Sequence, residues 1–118
     1  MLPGLEVGAT HVEVERLNEI TGASPSLPGD GIWVLVMAIE HAARRWMSTF
    51  MEPGEQSVGA SVEATRLATP STSATLASTA TLTAIRGRRY VFDVIVADES
   101  GRLLARGRNE RAVVAVPA

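Results

Sequence analysis

The stretch "GDGIWVLVMAIEHAARRW", residues 29–46, decides how this chain folds. Its centre, residues 32–39, is apolar without a break, and Glu40 then stands where another aliphatic residue would fit. A helix that is apolar on every side is typical of a helix buried on every side. The pattern therefore places a carboxylate inside a helix that it otherwise predicts to be buried.

The signals around this stretch set the limits of the helix. We predict that it runs from Ile32 to about Met51, because Pro53 cannot continue a helix and Gly54 turns the chain. Asp30 is suited to cap its N-terminus. The preceding segment, residues 21–31, is rich in Gly, Pro and Ser and is interpreted as a loop or a lid.

Strand patterns occupy the rest of the chain. Residues 7–17 alternate around Val12 and Val14, which predicts a first strand. Four more segments follow from Gln56 onward: "SVGASVEATRLA", "TSATLASTATLTAIRG", "RYVFDVIVADE" and "RLLARGRNERAVVAV". Short turns at residues 86–89 and 98–102 separate the last three, so these are predicted to form an antiparallel meander.

A helix that is apolar all round needs a surface that wraps it, and a strongly curved sheet provides one. We predict an α+β hotdog fold, in which a curved antiparallel sheet of five or six strands wraps around one long central helix. Residues 1–118 are interpreted as a single hotdog domain. Because such a sheet has exposed edges and covers only half of its helix, we expect a homodimer or a dimer of dimers.

Composition excludes several classes of function. The chain of 118 residues has a net charge of −2, which argues against nucleic acid or a membrane surface as a partner. It has no cysteine, which excludes Cys-based metal sites, and two histidines, which are too few for a His-rich metal site. No segment reaches the ~20 apolar residues of a membrane span, and no signal peptide is recognised. A cytoplasmic location is the expectation.

Three predicted elements each direct one polar side chain toward the core. Glu40 lies on the apolar stripe of the helix, Arg66 on the apolar face of the strand after it, and Asn109 on the inward face of the last strand. Because an unpaired buried charge costs several kcal/mol, we hypothesise that the three converge on one polar pocket.

Simpler interpretations stay open for each of these residues. In these interpretations Glu40 pairs with Arg44 on a solvated helix face. Arg66 reaches water at the rim of the sheet, and Asn109 only marks a bulge. His41 is then a structural or exposed helix residue, and the arginines of residues 86–89 form a solvated turn.

The chain resembles the fluoroacetyl-CoA thioesterase-like branch of the hotdog superfamily over about residues 7–114. Four stretches carry the resemblance: "EVGATHVEV", "MAIEHAARRWMSTFMEPGEQSVGASVEATRLA", "GRRYVFDVIVADESG" and "GRNERAVV". The resemblance implies hydrolysis of small acyl-CoA thioesters without a metal or other cofactor, with coenzyme A entering as part of the substrate. It assigns Glu40 as the catalytic base or nucleophile and Gly59 as the glycine whose N–H polarises the thioester carbonyl.

The chain departs from the family pattern at three positions. Ile32 stands in place of a hydroxyl residue, Arg66 in place of a histidine, and Asn109 where a histidine can precede the final "ER". The usual acid–base relay is therefore absent, and Arg66 and Asn109 are assigned to orienting the substrate. The predicted substrate-binding residues are Ile32, Trp33, Val36, Met37 and Ala60.

These observations predict a thioesterase that hydrolyses a small or medium acyl thioester. Two alternatives stay open. One is a non-catalytic hotdog protein that binds acyl-CoA or a small acid, and the other is a hotdog hydratase, dehydratase or cyclase.

Overall fold

The computed structural model describes residues 1–21, 31–71 and 73–117. Its elements are β1 (Thr10–Arg16), α1 (Leu17–Thr21), α2 (Ile32–Ser48), β2 (Glu55–Arg66), β3 (Thr75–Arg86), β4 (Arg89–Ala97) and β5 (Leu103–Ala115). The strands form one five-stranded antiparallel sheet in the order β1-β3-β4-β5-β2, and α2 packs against it. The predicted α+β arrangement of one long helix on an antiparallel sheet is confirmed.

Helix α2 begins where predicted and ends three residues early. Thr49 caps its C-terminus, because its backbone N–H and its hydroxyl both donate to the carbonyl oxygen of Trp46, at 3.2 and 2.7 Å. The chain has therefore left the helix before it reaches Pro53. Gly31 occupies the N-cap position in an extended conformation. The predicted cap Asp30 and most of the predicted loop lie outside the described residues.

The expectation that α2 is buried on every side is wrong for this single chain. One face packs into the core, where eight residues are buried: Val34, Leu35, Ala38, Ile39, Ala42, Ala43, Trp46 and Met47. On the other face Ile32 is 47% exposed and Trp33 is 36% exposed. The reason is geometric, since one sheet covers only one side of the helix. An apolar stripe is left at its N-terminal end.

The predicted meander is confirmed. Strand β4 pairs with β3 on one side and with β5 on the other, antiparallel in both cases. The turn between β3 and β4 contains only two residues, and Gly87 adopts the positive φ of 64° that such a tight turn favours. These three strands form the centre of the sheet that supports α2.

The first strand is shorter than predicted, and its apolar residues face outward. β1 covers Thr10–Arg16, and Leu17 begins α1 instead of ending the strand. Val12 and Val14 are 53% and 62% exposed. The inward face of β1 is polar, which the alternation of its valines does not reveal.

The polar face of β1 binds α2 through a network of charged side chains. The buried Glu15 carboxylate contacts His41 Nδ1 at 3.1 Å and accepts from Arg45 Nη1 at 3.1 Å. Glu13 accepts from the same Arg45 nitrogen at 3.4 Å and contacts His11 Nε2 at 3.1 Å. His41 therefore has a structural contact, in agreement with the simpler interpretation of that residue.

The helix approaches the sheet closely at Gly107 in β5. A Cβ atom at this position would collide with the main-chain carbonyl of Glu63 and lie 2.7 Å from Ile39 Cδ1. The absence of a side chain therefore allows α2 and β2 to pack at their observed distance from β5. This packing also sets the position of Glu40, the next residue after Ile39 on α2.

Candidate active site

A β-bulge in β2 shapes the candidate site. The pairing of β2 with β5 shifts between Gly59 and Ser61, so that Ala60 has no partner across the ladder. The alternation that assigned Arg66 to the apolar face of this strand is therefore interrupted, because the extra residue exchanges the faces on either side of the bulge. Before the bulge Ser57 faces inward, and after it Ala64 does.

A cavity of about 350 Å³ lies between this bulge, α2 and β5. It is lined by Glu40, Gly59, Ala60, Ser61, Val62 and Asn109. Of the sequence-predicted residues, the structure thus brings together Glu40, Gly59, Ala60 and Asn109.

Glu40 is half-buried in the middle of α2 and faces this cavity. Within the described chain it forms no ion pair with Arg44, so the simple i,i+4 pair on the helix surface is not observed. The carboxylate is left at the edge of the core with a space beside it that is large enough for a small molecule.

Asn109 is almost fully buried, with 1% of its surface exposed. Its side-chain Nδ2 donates to the main-chain oxygen of Ser61 at 2.8 Å, across the bulge. The inward direction predicted from the alternation of β5 is confirmed. The residue lies at a bulge, as the simpler interpretation holds, and it also lines the cavity beside Glu40.

Arg111 is a buried residue of this region that sequence reasoning missed. It is 3% exposed and lies on the same face of β5 as Asn109, two residues further along. Its Nε donates to Ser57 Oγ at 3.0 Å, its Nη2 to the Ser57 carbonyl at 3.3 Å, and its Nη1 to Asn109 Oδ1 at 3.2 Å. The alternation of inward and outward residues that identified Asn109 also places Arg111, two residues further along, on the inward face of β5. Extending the alternation along the strand would have identified it.

The electrostatic surroundings of Arg111 tie it to the cavity. Burial lowers the pKa of its guanidinium, the nearby Glu40 carboxylate raises it, and the positive charge of Arg44 lowers it. A guanidinium stays protonated under ordinary conditions, so a fixed positive charge lies beneath the cavity near Glu40. Gly59 lies next to this guanidinium, since a Cβ atom there would make an ordinary van der Waals contact with Arg111 Nη1, at 3.6 Å.

The structure does not bring the remaining predicted residues to this cavity. Arg66 is the last residue of β2, opposite Ala105, and its side chain is exposed. Seven positions of extended chain, roughly 20 Å, separate it from Gly59. The predicted convergence of Arg66 with Glu40 is therefore wrong within one chain. The predicted substrate-binding residues of α2 do not line the cavity either: Ile32, Trp33, Val36 and Met37.

The arrangement combines a carboxylate with hydrogen-bond donors around a small space. A carboxylate can remove a proton from water or attack a carbonyl, and donors nearby can stabilise the oxyanion that results. Within residues 1–21, 31–71 and 73–117, no group of three or more His, Cys, Asp or Glu side chains is placed to hold a metal ion. Neither described helix has the length and apolar character that crossing a membrane requires.

Comparison with known proteins identifies similar sequences and structures. Residues 14–116 match the family model described as fluoroacetyl-CoA-specific thioesterase. A thioesterase superfamily member from Thermus thermophilus is 25% identical, with a TM-score of 0.82, and the match covers 97% of this chain and 87% of that one. The fluoroacetyl-CoA thioesterase FlK is 27% identical, with a TM-score of 0.80 and coverage of 97% and 91%.

A mutant of FlK solved in complex with fluoroacetate and CoA is also similar, at 26% identity and a TM-score of 0.78, covering 94% of this chain and 96% of that one. Comparison with curated protein sequences gives no match. These similarities confirm the predicted hotdog fold.

Proposed function

The chain belongs to the fluoroacetyl-CoA-specific thioesterase family, and on that premise we propose that it hydrolyses small or medium acyl-CoA thioesters in the cavity beside Glu40. One observation carries the proposal: the carboxylate of α2 faces a cavity whose opposite wall is the Gly59–Ala60 bulge and the Asn109 amide. A thioester carbonyl in this space is within reach of both an attacking group and a hydrogen-bond donor.

The reaction follows from these groups in one of two ways. Glu40 takes a proton from a water molecule whose oxygen attacks the thioester carbon, or its own oxygen attacks that carbon. In both, the carbonyl electron pair moves to oxygen, and collapse of the tetrahedral intermediate expels the coenzyme A thiolate, which takes up a proton. In the second, water then hydrolyses the acyl-Glu40 anhydride and restores the carboxylate.

The donors stabilise the oxyanion of this intermediate. The Gly59 N–H is assigned to that role, and Asn109 is assigned to orienting the substrate. Coenzyme A enters as part of the substrate, and no metal or other cofactor is required. The FlK mutant bound to fluoroacetate and CoA supports a thioester of this kind as the ligand.

A cytoplasmic location and a single hotdog domain over residues 1–118 stay predictions.

A homodimer explains the residues that one chain leaves away from the cavity. β2 lies at the edge of the sheet, with Val58 and Val62 each 37% exposed on it. We propose that β2 pairs antiparallel with β2 of a second copy; a two-fold axis near Val62 would bring Arg66 of one copy close to Gly59 of the other. The exposed apolar stripe of α2, including Ile32 and Trp33, is proposed to be covered in the same assembly.

This assembly predicts complementation between two inactive variants. A mixture of Glu40→Gln and Arg66→Ala chains, unfolded and refolded together, is expected to regain about a quarter of wild-type activity. The reason is that half of the dimers are mixed and each has one intact site. Turnover of the mixture and of each variant alone is measured, with the mass in solution. A monomer, or no gain on mixing although Arg66→Ala alone is inactive, would contradict the shared site.

Turnover by the wild-type chain tests the function itself. The protein is mixed with a panel of acyl-CoAs from acetyl to octanoyl, including fluoroacetyl, and free thiol is measured over time. We expect catalytic release of coenzyme A from at least one short or medium acyl group. Stabilisation against heat by an acyl-CoA without any release would instead favour the non-catalytic binding protein.

A further inference from the structure

A chain of hydrogen bonds runs below the cavity from β2 through β5 and back to β2. Ser57 accepts twice from Arg111, through Oγ and through its main-chain oxygen. Arg111 then donates to the Asn109 oxygen, and the Asn109 nitrogen donates to the Ser61 carbonyl. The chain therefore connects the two sides of the β2 bulge through two buried side chains.

The chemistry of arginine settles the orientation of the Asn109 amide. A guanidinium only donates hydrogen bonds, so the Asn109 atom that faces Arg111 must be the oxygen. A main-chain carbonyl only accepts, so the atom that faces Ser61 must be the NH2 group. Both neighbours require the same orientation, and a flipped amide would lose both bonds.

The orientation leaves one N–H of Asn109 for a substrate. The amide nitrogen carries two hydrogens, and the bond to Ser61 uses one of them. Asn109 lines the cavity together with Glu40 and Gly59. The second N–H is thus the donor that an acceptor oxygen in this cavity would meet, on an amide that cannot rotate away without breaking two bonds.

We propose that Asn109 is a second oxyanion donor and that Arg111 is the positioning residue that keeps its NH2 group directed at the thioester carbonyl. This inference rests on the proposed hydrolase function and specifies how its oxyanion is stabilised. Arg111 acts through Asn109, whose amide donates a hydrogen bond without taking up a proton.

A double-mutant cycle tests the proposal on the full-length protein. Asn109→Ala and Arg111→Gln are each expected to lower kcat by about 100-fold, with KM changed less than about threefold, since loss of one oxyanion donor has this size. In the Asn109→Ala background, Arg111→Gln is expected to cost less than about threefold more. Arg111→Lys keeps a positive charge that can only donate hydrogen bonds. This variant should therefore retain activity within about tenfold of wild type. Arg108→Gln, the same change on the outer face of β5, is the control.

Losses of kcat that multiply in the double variant would overturn the proposal, because Arg111 would then act independently of Asn109. An unchanged kcat in Asn109→Ala would overturn it as well. If Arg111→Gln does not fold, Ser57→Ala replaces it in the cycle, because it removes one of the three acceptors that hold Arg111.

A second measurement separates this inference from the proposed function. The carbonyl carbon of a 13C-labelled methyl-ketone analogue of acetyl-CoA is observed by NMR when bound to the protein. We expect a downfield shift in the wild type that decreases in Asn109→Ala and Arg111→Gln, because hydrogen bonds polarise the carbonyl. An equal shift in all three would overturn the inference even if the wild type hydrolyses thioesters. A decreased shift without any turnover would support the inference and overturn the hydrolase.

Discussion

Glu40→Gln is expected to lower kcat for acyl-CoA hydrolysis by about a thousandfold and to leave the fold intact. Glutamine has nearly the same shape as glutamate but neither accepts a proton from water nor attacks a carbonyl, and a positioned base contributes roughly 10²–10⁴-fold. Because Glu40 is half-buried and within the described chain forms no ion pair, its replacement removes only the attraction to the buried Arg111 and should change the free energy of unfolding by about 1 kcal/mol.

The measurement is steady-state release of coenzyme A, with urea unfolding on the same samples. Glu6→Gln is the matched control, because Glu6 is an exposed carboxylate outside the strands that does not line the cavity. The control should keep wild-type turnover. Retention of more than a tenth of the activity by Glu40→Gln would show that this carboxylate does not carry the chemistry.

Gly107→Ala is expected to destabilise the fold strongly, and more than the same change at Gly59, the other glycine within the described strands. The new Cβ would collide with the Glu63 carbonyl and lie 2.7 Å from Ile39 Cδ1, and a main-chain atom of a paired strand cannot move aside cheaply. Overpacking of this kind costs about 3 kcal/mol in the free energy of unfolding. The forced shift of α2 would also move Glu40 away from the bulge, so turnover should fall in the molecules that remain folded.

Gly59→Ala is the comparison, since both glycines lie in paired strands and neither has a positive φ. Its Cβ would lie 3.6 Å from the nearest atom, which is an ordinary contact, so stability should change by less than about 1 kcal/mol. Urea unfolding curves of the two variants provide the test. If Gly107→Ala were as stable as Gly59→Ala, the close approach of α2 to the sheet would not be the constraint inferred here.

Much of the architecture was predictable because it depends on local patterns. The apolar run of residues 32–39 predicted α2, and the short turns predicted the meander β3-β4-β5. The ends of elements were less predictable. Thr49 caps α2 before the chain reaches the predicted end at Pro53. Leu17, which was predicted to end β1, begins α1 instead.

The candidate site was predictable only in part. Glu40 and Asn109 were found because each is a polar residue on an apolar face, and Gly59 followed from the family resemblance. Arg66 followed the same rule as Asn109, yet it lies at the far end of β2. The alternation of side chains along a strand shows which face a residue lies on. It does not show how far along the strand that residue lies from the helix.

The sequence by itself determined which segments are helical or extended and which faces are apolar, because periodicity and turn chemistry act within a few residues of one another. Only the tertiary structure decided where the β2 bulge lies. The same holds for the orientation that Arg111 imposes on the Asn109 amide and for the close approach of α2 that Gly107 allows. Each of these depends on the distance between elements far apart in the chain, and that distance results from packing the whole core.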